Sequence, residues 1–395
     1  MRRFIKFLTV LLLIIVLGGL MLYQRKPKAV MAGPLDSYTD FSVDFTSRIG
    51  IGERNTAVSP YSVYMAMLML TEGSSSDTKS ELMEALRVSS LDDARSWFNM
   101  SIRRFTDVKD AKAEIANSIW VKSEFPVSRN YLNIVERYYN VEQFSFVSPS
   151  DAVLKINEWV SNRTNKLIDR IVDRLDSRTV IVLVNTVYFK ANWTIPFESV
   201  EKGDFHSFNG TKTADYLRGY VQAKYVDAGD YIALALSYKG TDVNFVVLMP
   251  KDNLKGFLSR LGEKGLLDVF DKLFSSSDIR VDLSLPKFDV DSGILDLNDI
   301  LKSMGIKKVF IPGKADLSPM VEGNKKDELY VDKVFHRARV RVDLYGTEAV
   351  AATAAVIKLT AVRSAIPIKI DRPFAFFLVD PKTKAILFAG SFVNP

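Results

Sequence analysis

The amino-acid sequence predicts a single large α+β domain with mixed and antiparallel sheets, preceded by a short apolar leader. Three observations carry this prediction. Helical periodicity dominates the first half of the chain and strand-like runs the second, an order that belongs to α+β folds. No Pro/Gly/Ser-rich linker, charge block or internal repeat divides residues 34–395. A chain of 395 residues that is 47% hydrophobic and 25% charged has enough apolar material for a sizeable core.

The leader comes first. MRRFIKF followed by an apolar stretch from Phe7 to Tyr23 is the basic n-region and h-region of an export signal. The stretch also sits at the lower edge of what crosses a bilayer, roughly 17 to 25 residues. Val30-Met31-Ala32 offers small residues for a signal peptidase ahead of Gly33, with QRKPK intervening. Residues 1–33 are therefore expected to be a cleaved signal or a retained membrane anchor, with the rest secreted or tethered outside the cytoplasm. Arg2, Arg3, Lys6, Arg25, Lys26 and Lys28 account for the whole formal charge of +6. Residues 34–395 are neutral overall and show no basic run interleaved with aromatics, so a nucleic-acid partner is not expected. Sequons at Asn99, Asn162, Asn192 and Asn209 are weak signals of glycosylation.

Beyond the leader, SPYSVYMAMLMLTEGS opens with a Ser cap at Ser59 and a Pro at the first helical position, then runs apolar, as a buried helix does. DAVLKINEWVSNRTNKLIDRIVDRL spaces Leu154, Ile156, Trp159, Leu167, Ile168, Ile171 and Leu175 by threes and fours, predicting an amphipathic helix with a break near Arg163. VIVLVNTVYF, from Val180, is a continuous β-branched run and predicts a strand covered on both faces. VNFVVLMP, the alternating IRVDLSLPKF, RARVRVDLY, IPIKI, FAFFLVD and AILFAGSF read as strands, with a short helix at DLNDILKSMGI closed by Gly305.

The composition excludes several chemistries. The absence of cysteine removes disulfides, thiolate metal sites and a Cys nucleophile. Only His206 and His336 are present, far apart in sequence, so a histidine zinc site is not expected, and no cofactor is either. There is no G-x-S-x-G elbow and no P-loop, and Gly50-Ile51-Gly52 lacks the rest of a dinucleotide fingerprint. A hydrolase built on a serine and His206 has no recognisable elbow to support it, and the chain does not read as an enzyme.

Four stretches, in order along the domain, resemble the serpin family. Asn55-Thr56-Ala57-Val58-Ser59-Pro60-Tyr61-Ser62 is similar to the family's N-x-x-x-S-P-x-S, and Asn185 to Lys190 with Trp193 and Phe197 to its N-x-x-Y-F-K-x-x-W strand. Leu285-Pro286-Lys287-Phe288 matches LPKF, and Phe388 to Pro395 resembles F-x-G-x-x-x-N-P. The resemblance implies a serpin fold with an exposed reactive-centre loop at about 346–367. It also implies a monomer whose partner is a serine protease, trapped as an acyl-enzyme when the cut loop enters the main sheet as a strand.

The segment 346–367 fits that role. Gly346, Thr347, Glu348 and Ala349 are similar to the proximal hinge, which continues through Ala351 and Thr353. Alternate side chains of an entering strand face the core, and Thr347, Ala349, Ala351, Thr353 and Ala355 are all small. Residues 349–357 contain no charge to bury and no Pro to delete a ladder hydrogen bond. Read without the resemblance, the same Ala-rich run is a surface helix. Two positions depart from the family's pattern: Leu344 stands where the acid before the hinge is usual, and Val350 where a small residue is commoner.

Ser59, Ser62, Asn185 and His336 match the polar cluster beneath the strands that part, and Trp193 matches the residue at the top of that opening. His336 alone reads as a satisfied core histidine; in this company the resemblance implies gating, with hydrogen bonds bridging the strands. Counting the serpin family's usual fifteen positions from Gly346, the resemblance implies that the cleaved bond is Thr360–Ala361. Thr360 suits a subtilisin-like or elastase-like protease. Leu359 is an alternative, and Arg363 would draw a trypsin-like one. A non-inhibitory serpin-fold binding or storage module is the competing expectation, against which the small hinge residues count.

Overall fold

Two sheets and the helices around them make up the residues that the computed structural model describes: 34–106, 111–323, 328–347 and 365–395. The leader and residues 348–364 lie outside them. The helices are α1 (Pro34–Arg48), α2 (Pro60–Glu72), α3 (Ser76–Ala85), α4 (Leu91–Thr106), α5 (Arg129–Tyr139), α6 (Pro149–Arg163), α7 (Leu254–Ser275) and α8 (Asn298–Ser303). The strands in chain order are β1 (Thr56–Val58), β2 (Ala111–Lys122), β3 (Val141–Phe146), β4 (Ile181–Asn192), β5 (Ser199–Ser207), β6 (Gly210–Asp227), β7 (Tyr231–Ser237), β8 (Asn244–Pro250) and β9 (Asp278–Pro286). They continue with β10 (Phe288–Asp291), β11 (Leu295–Asp296), β12 (Val331–His336), β13 (Arg339–Asp343), β14 (Gly346–Thr347), β15 (Ile366–Lys369), β16 (Phe374–Val379) and β17 (Ile386–Phe392).

One sheet runs β1-β17-β16-β8-β7-β6-β9-β15 with β5 on β6; the other runs β10-β13-β14-β4-β12-β11 with β2 and β3 beyond β4. Helix α2 is apolar all round and every one of its residues is buried, as such a helix must be. The Ser59 side chain accepts from Ser62 N, and Pro60 opens the helix where no amide donor is needed. β4 is buried along most of its length. Leu183, Val187 and Phe189 join the main core with α2, while Val182 and Val184 pack into a second cluster with α6 residues Ile156, Trp159 and Val160.

Gly390 lets β17 approach β1 and β16: a Cβ there would stand 2.5 Å from Thr56 O. Asn55 ties the chain end, its Oδ1 accepting from Val393 N at 2.7 Å and Asn394 N at 3.1 Å.

Two expectations are corrected, and one element was missed. The second half of the DAVLKINEW helix does not form: α6 ends at Arg163, Asn165 and Lys166 take positive φ, and the chain runs on irregularly. The apolar spacing there is satisfied without a helix, because Asn157 Oδ1 accepts from Ile171 N at 2.9 Å and Val172 N at 3.1 Å, and Thr164 Oγ1 from Ile168 N at 3.0 Å. IRVDLSLPKF is two strands in different sheets, β9 and β10, divided at Lys287. Helix α7 was not foreseen; it is kinked at Gly262, whose φ of 60° and ψ of −167° break the helical run.

Candidate functional site

The registers of the second sheet line up a polar row. Asn117 of β2 lies opposite Asn185 of β4, Asn185 opposite His336 of β12, and His336 opposite Leu295 of β11. The start of α2 lies beneath this row, its Ser59 and Ser62 wholly buried. Asn185 is the hub: its Nδ2 donates to Ser62 O at 2.7 Å and to Asn117 Oδ1, and its Oδ1 accepts from Ser62 Oγ. The Asn117 amide is directed in turn at Met65 Sδ. Satisfying each other in this way, buried amides and hydroxyls avoid the desolvation cost of an unpaired polar group.

His336 is held differently from the expectation. Its Nε2 accepts from the backbone N of Ser59 at 3.0 Å, so the proton sits on Nδ1, which has no hydrogen-bond partner among the described residues. The imidazole thus ties β12 to the cap of α2, and the side-chain bridge between strands is made by Asn185 and Asn117 instead. Complete burial pushes the His336 pKa down to about 3, because a charged ring could not be solvated there.

Above this row the sheet is open. β12 pairs with residues 181–185 of β4, and β14 pairs with Ala191 and Asn192. Among the described residues no strand pairs with residues 186–190 along that edge. β14 closes the top of the opening: Gly346 lies opposite Asn192 and Asp343, and Thr347 opposite Ala191 and Val342. The first two hinge residues are therefore already a short strand between β4 and β13. Thr347 is 1% exposed and its hydroxyl pairs with the Tyr238 hydroxyl. Burial raises the Tyr238 pKa well above its usual value and keeps that hydroxyl protonated.

Trp193 secures the root of the loop. Its backbone N donates to Tyr345 O at 2.8 Å and its indole Nε1 to Asp343 O at 2.9 Å, while its ring stacks on Tyr238 at 4.5 Å. Leu344, in the usual acid position, keeps its backbone satisfied. Its N donates to the Asp343 carboxylate at 2.7 Å and its O accepts from Phe197 N at 3.0 Å, so the acid one residue earlier serves the turn.

Gly346 is required where it stands, with φ +156° and a Cβ position that would fall 2.8 Å from Asn192 Cα and onto Ala191 O. Gly346→Ala is expected to open the β14 pairing at a cost of about 1–3 kcal/mol, the range for overpacking. Deuterium uptake at the Thr347 amide should rise severalfold; unchanged uptake would contradict this close approach.

The structure brings Ser59, Ser62, Asn185 and His336 together, and groups Trp193 with Gly346 and Thr347 at the far end of β4. Glu348, Ala349, Ala351, Thr353, Leu359, Thr360, Ala361 and Arg363 lie outside the described residues. Asn117, Met65 and Tyr238 were missed, and nothing local distinguishes them in the sequence. Among the described residues, no group of three or more His, Cys, Asp or Glu could hold a metal ion, and no helix is long and apolar enough to cross a membrane.

The family model for serpins, serine protease inhibitors, matches residues 36–395. The chain belongs to the serpin family. It is similar to serpin-Z2B of Oryza sativa subsp. japonica, at 31% identity over 92% of this chain and 98% of that one. It also resembles an uncharacterised serpin-like protein of Thermococcus kodakarensis, 29% identical over 100% of this chain and 99% of the relative. Among solved structures, the thermophilic serpin tengpin in its native state superposes with TM-score 0.83 at 27% identity, covering 91% of this chain and 94% of tengpin. The native stressed conformation of an Arabidopsis serpin superposes with TM-score 0.79 at 25% identity, over 92% and 98% of the two chains. The fold is the serpin fold. Serpins are generally protease inhibitors rather than enzymes, and some members are non-inhibitory.

Proposed function

We propose that this serpin is a suicide-substrate inhibitor of serine proteases, acting outside the cytoplasm, as a secreted protein or one tethered through residues 7–23. A protease attacks the bond after Thr360, the acyl-enzyme forms, and the freed loop enters the second sheet before the ester is hydrolysed. The observation that supports this reading most is β14, a strand of two hinge residues between β4 and β13 at the head of a stretch of β4 whose edge on that side has no strand partner among the described residues.

Its register also favours the bond. Continued residue by residue, the pairing of Gly346 with Asn192 puts Thr353 opposite Asn185, in the polar row, and Ile357 opposite Ile181, where β4 begins. Lys358, Leu359 and Thr360 then remain to reach the protease. Thr353 would also bring a hydroxyl to the row in which His336 Nδ1 has no partner among the described residues.

The test is to mix the full chain with subtilisin, elastase and trypsin separately, resolve the products on a denaturing gel and sequence the released C-terminal peptide. An SDS-stable adduct with a peptide beginning at Ala361 is expected. A peptide beginning at Ser364 would move the specificity to Arg363. Cleavage by all three without adduct would favour a non-inhibitory serpin.

A further inference from the structure

The sequence offers four Asn-x-Ser/Thr sequons, and the fold sorts them. Asn99 lies inside α4, and Ser101, the hydroxyl residue of its sequon, is wholly buried with its Oγ 2.7 Å from the Tyr61 hydroxyl. Asn162 lies in the last turn of α6, and the buried Thr164 hydroxyl donates to Val160 O at 2.8 Å. Asn192 ends β4 opposite Gly346, next to the buried Trp193. Asn209-Gly210-Thr211 is placed differently. Phe208 and Asn209 form the two-residue turn between β5 and β6, whose ends Ser207 and Gly210 lie opposite each other. Asn209, Gly210 and Thr211 are all exposed, as a glycan acceptor on a surface loop has to be.

The turn is held in a defined shape. Gly210 takes φ +105°, Ser207 Oγ donates to Gly210 O at 2.8 Å, and the Thr211 hydroxyl lies 3.0 Å from His206 Nδ1 at the surface. The Asn209 side-chain amide makes no hydrogen bond among the described residues.

Asn209 also stands at the rim of a surface cleft of about 350 Å³, at the low end of sites that hold small ligands. Phe208, Arg54, Asn55 and Asn394 line it, and Phe208 is 46% exposed. The Asn55 carbonyl is engaged by Val393 N and Asn394 N, whereas the Arg54 guanidinium makes no hydrogen bond or ion pair among the described residues. An exposed aromatic ring beside free guanidinium donors suits a sugar, whose C–H face covers the ring while its hydroxyls accept from the cation.

We propose that Asn209 is a site of N-linked glycosylation, and that the first sugar of the glycan lies in the cleft against Phe208 and Arg54. This rests on the reading that the chain is exported, because the donor is a lipid-linked oligosaccharide used by a transferase outside the cytoplasm. In the transfer the Asn209 amide nitrogen bonds to the anomeric carbon of the sugar, and the bond from that carbon to the phosphate oxygen breaks. The lipid phosphate leaves with the electron pair, and the amide gives one proton to a base of the transferase. The bound sugar covers Phe208 and braces the β5–β6 hairpin against the chain end, since Asn394 lines the same cleft.

The experiment expresses the full chain in a eukaryotic secretory host, once with its own leader and once with a host export signal ahead of it. Peptides are read by mass spectrometry after peptide-N-glycosidase treatment in heavy-oxygen water, which turns a glycosylated asparagine into a labelled aspartate. Label at Asn209 is expected in the exported chain, lost in Thr211→Ala and kept in Thr211→Ser. Exported chain without label at Asn209 would overturn the site and leave the export reading intact. Export and label seen only behind the host signal would overturn the export reading and leave the site standing.

The cleft is tested by thermal midpoints at one heating rate, with Asn209→Gln as the unglycosylated reference. The glycan should raise the midpoint by about 2 °C or more, and Phe208→Ser, still glycosylated, should lose most of that gain over its own Asn209→Gln reference. An equal gain with and without Phe208 would overturn the docking of the sugar on the ring.

Discussion

For the inhibition proposed above, Thr347→Arg is expected to turn inhibitor into substrate. Thr347 is buried against Tyr238 between β4 and β13, and the entering strand must keep that side chain inward. Among the described residues no carboxylate partners the Thr347 hydroxyl, so an arginine would have to bury an unpaired charge or hold the hinge out of the sheet. Either costs at least about 3 kcal/mol at the entry step, and each 1.36 kcal/mol is a factor of about ten in rate. Hydrolysis of the acyl-enzyme then outruns entry. The adduct band should fall to under about a tenth of wild type while the cleaved band grows. Thr347→Ser keeps the hydroxyl and should leave the partition within about twofold. Undiminished adduct from Thr347→Arg would sink the insertion mechanism for this chain.

The second large effect is on acid stability. Unfolded, His336 titrates near 6.5; folded, its pKa lies at about 3. Between these values the unfolded chain binds a proton that the folded chain does not, so stability rises with pH and is lost as pH falls below about 6.5. The slope is about 1.4 kcal/mol per pH unit, which amounts to about 2 kcal/mol lost by pH 5. Carboxylates that cations hold low, such as Asp242 beside Lys382 and Arg104, lose their contribution mainly below pH 5. The window from pH 6.5 to 5 therefore reports on the histidine. Urea midpoints measured at pH 7.5, 6 and 5 should fall across this window in wild type and stay nearly level in His336→Gln. A flat wild-type profile would show that His336 is not buried as a neutral ring.

How legible the molecule was in its sequence depends on the range of the cause. The cap at Ser59, the Pro that opens α2 and the run that makes β4 are local, and local chemistry names them. Asn117 sits inside an ordinary-looking strand; its importance comes only from the register that sets it opposite Asn185. Tyr238 matters because β7 ends where Thr347 enters. Residues 164–172 carry helical spacing, yet Asn157 and two arginines far along the chain take up their backbone groups and prevail over local propensity. Helix α7 was hidden by Gly262 in its middle, a residue that usually argues against a helix.

The placement of β17 bears on how the molecule is made. β1, only three residues long, has β17 as its sole ladder partner among the described strands, and Tyr38 of α1 donates to Ile386 O at 2.7 Å. These N-terminal elements wait on residues more than 300 positions downstream, and contacts so distant in sequence form slowly. The first sheet cannot be completed until β17 has been synthesised. During that interval the open edge of β4 and the hinge that matches it exist together in an unfinished molecule. Chaperone protection during that interval is therefore where this protein's yield of folded molecules would be decided.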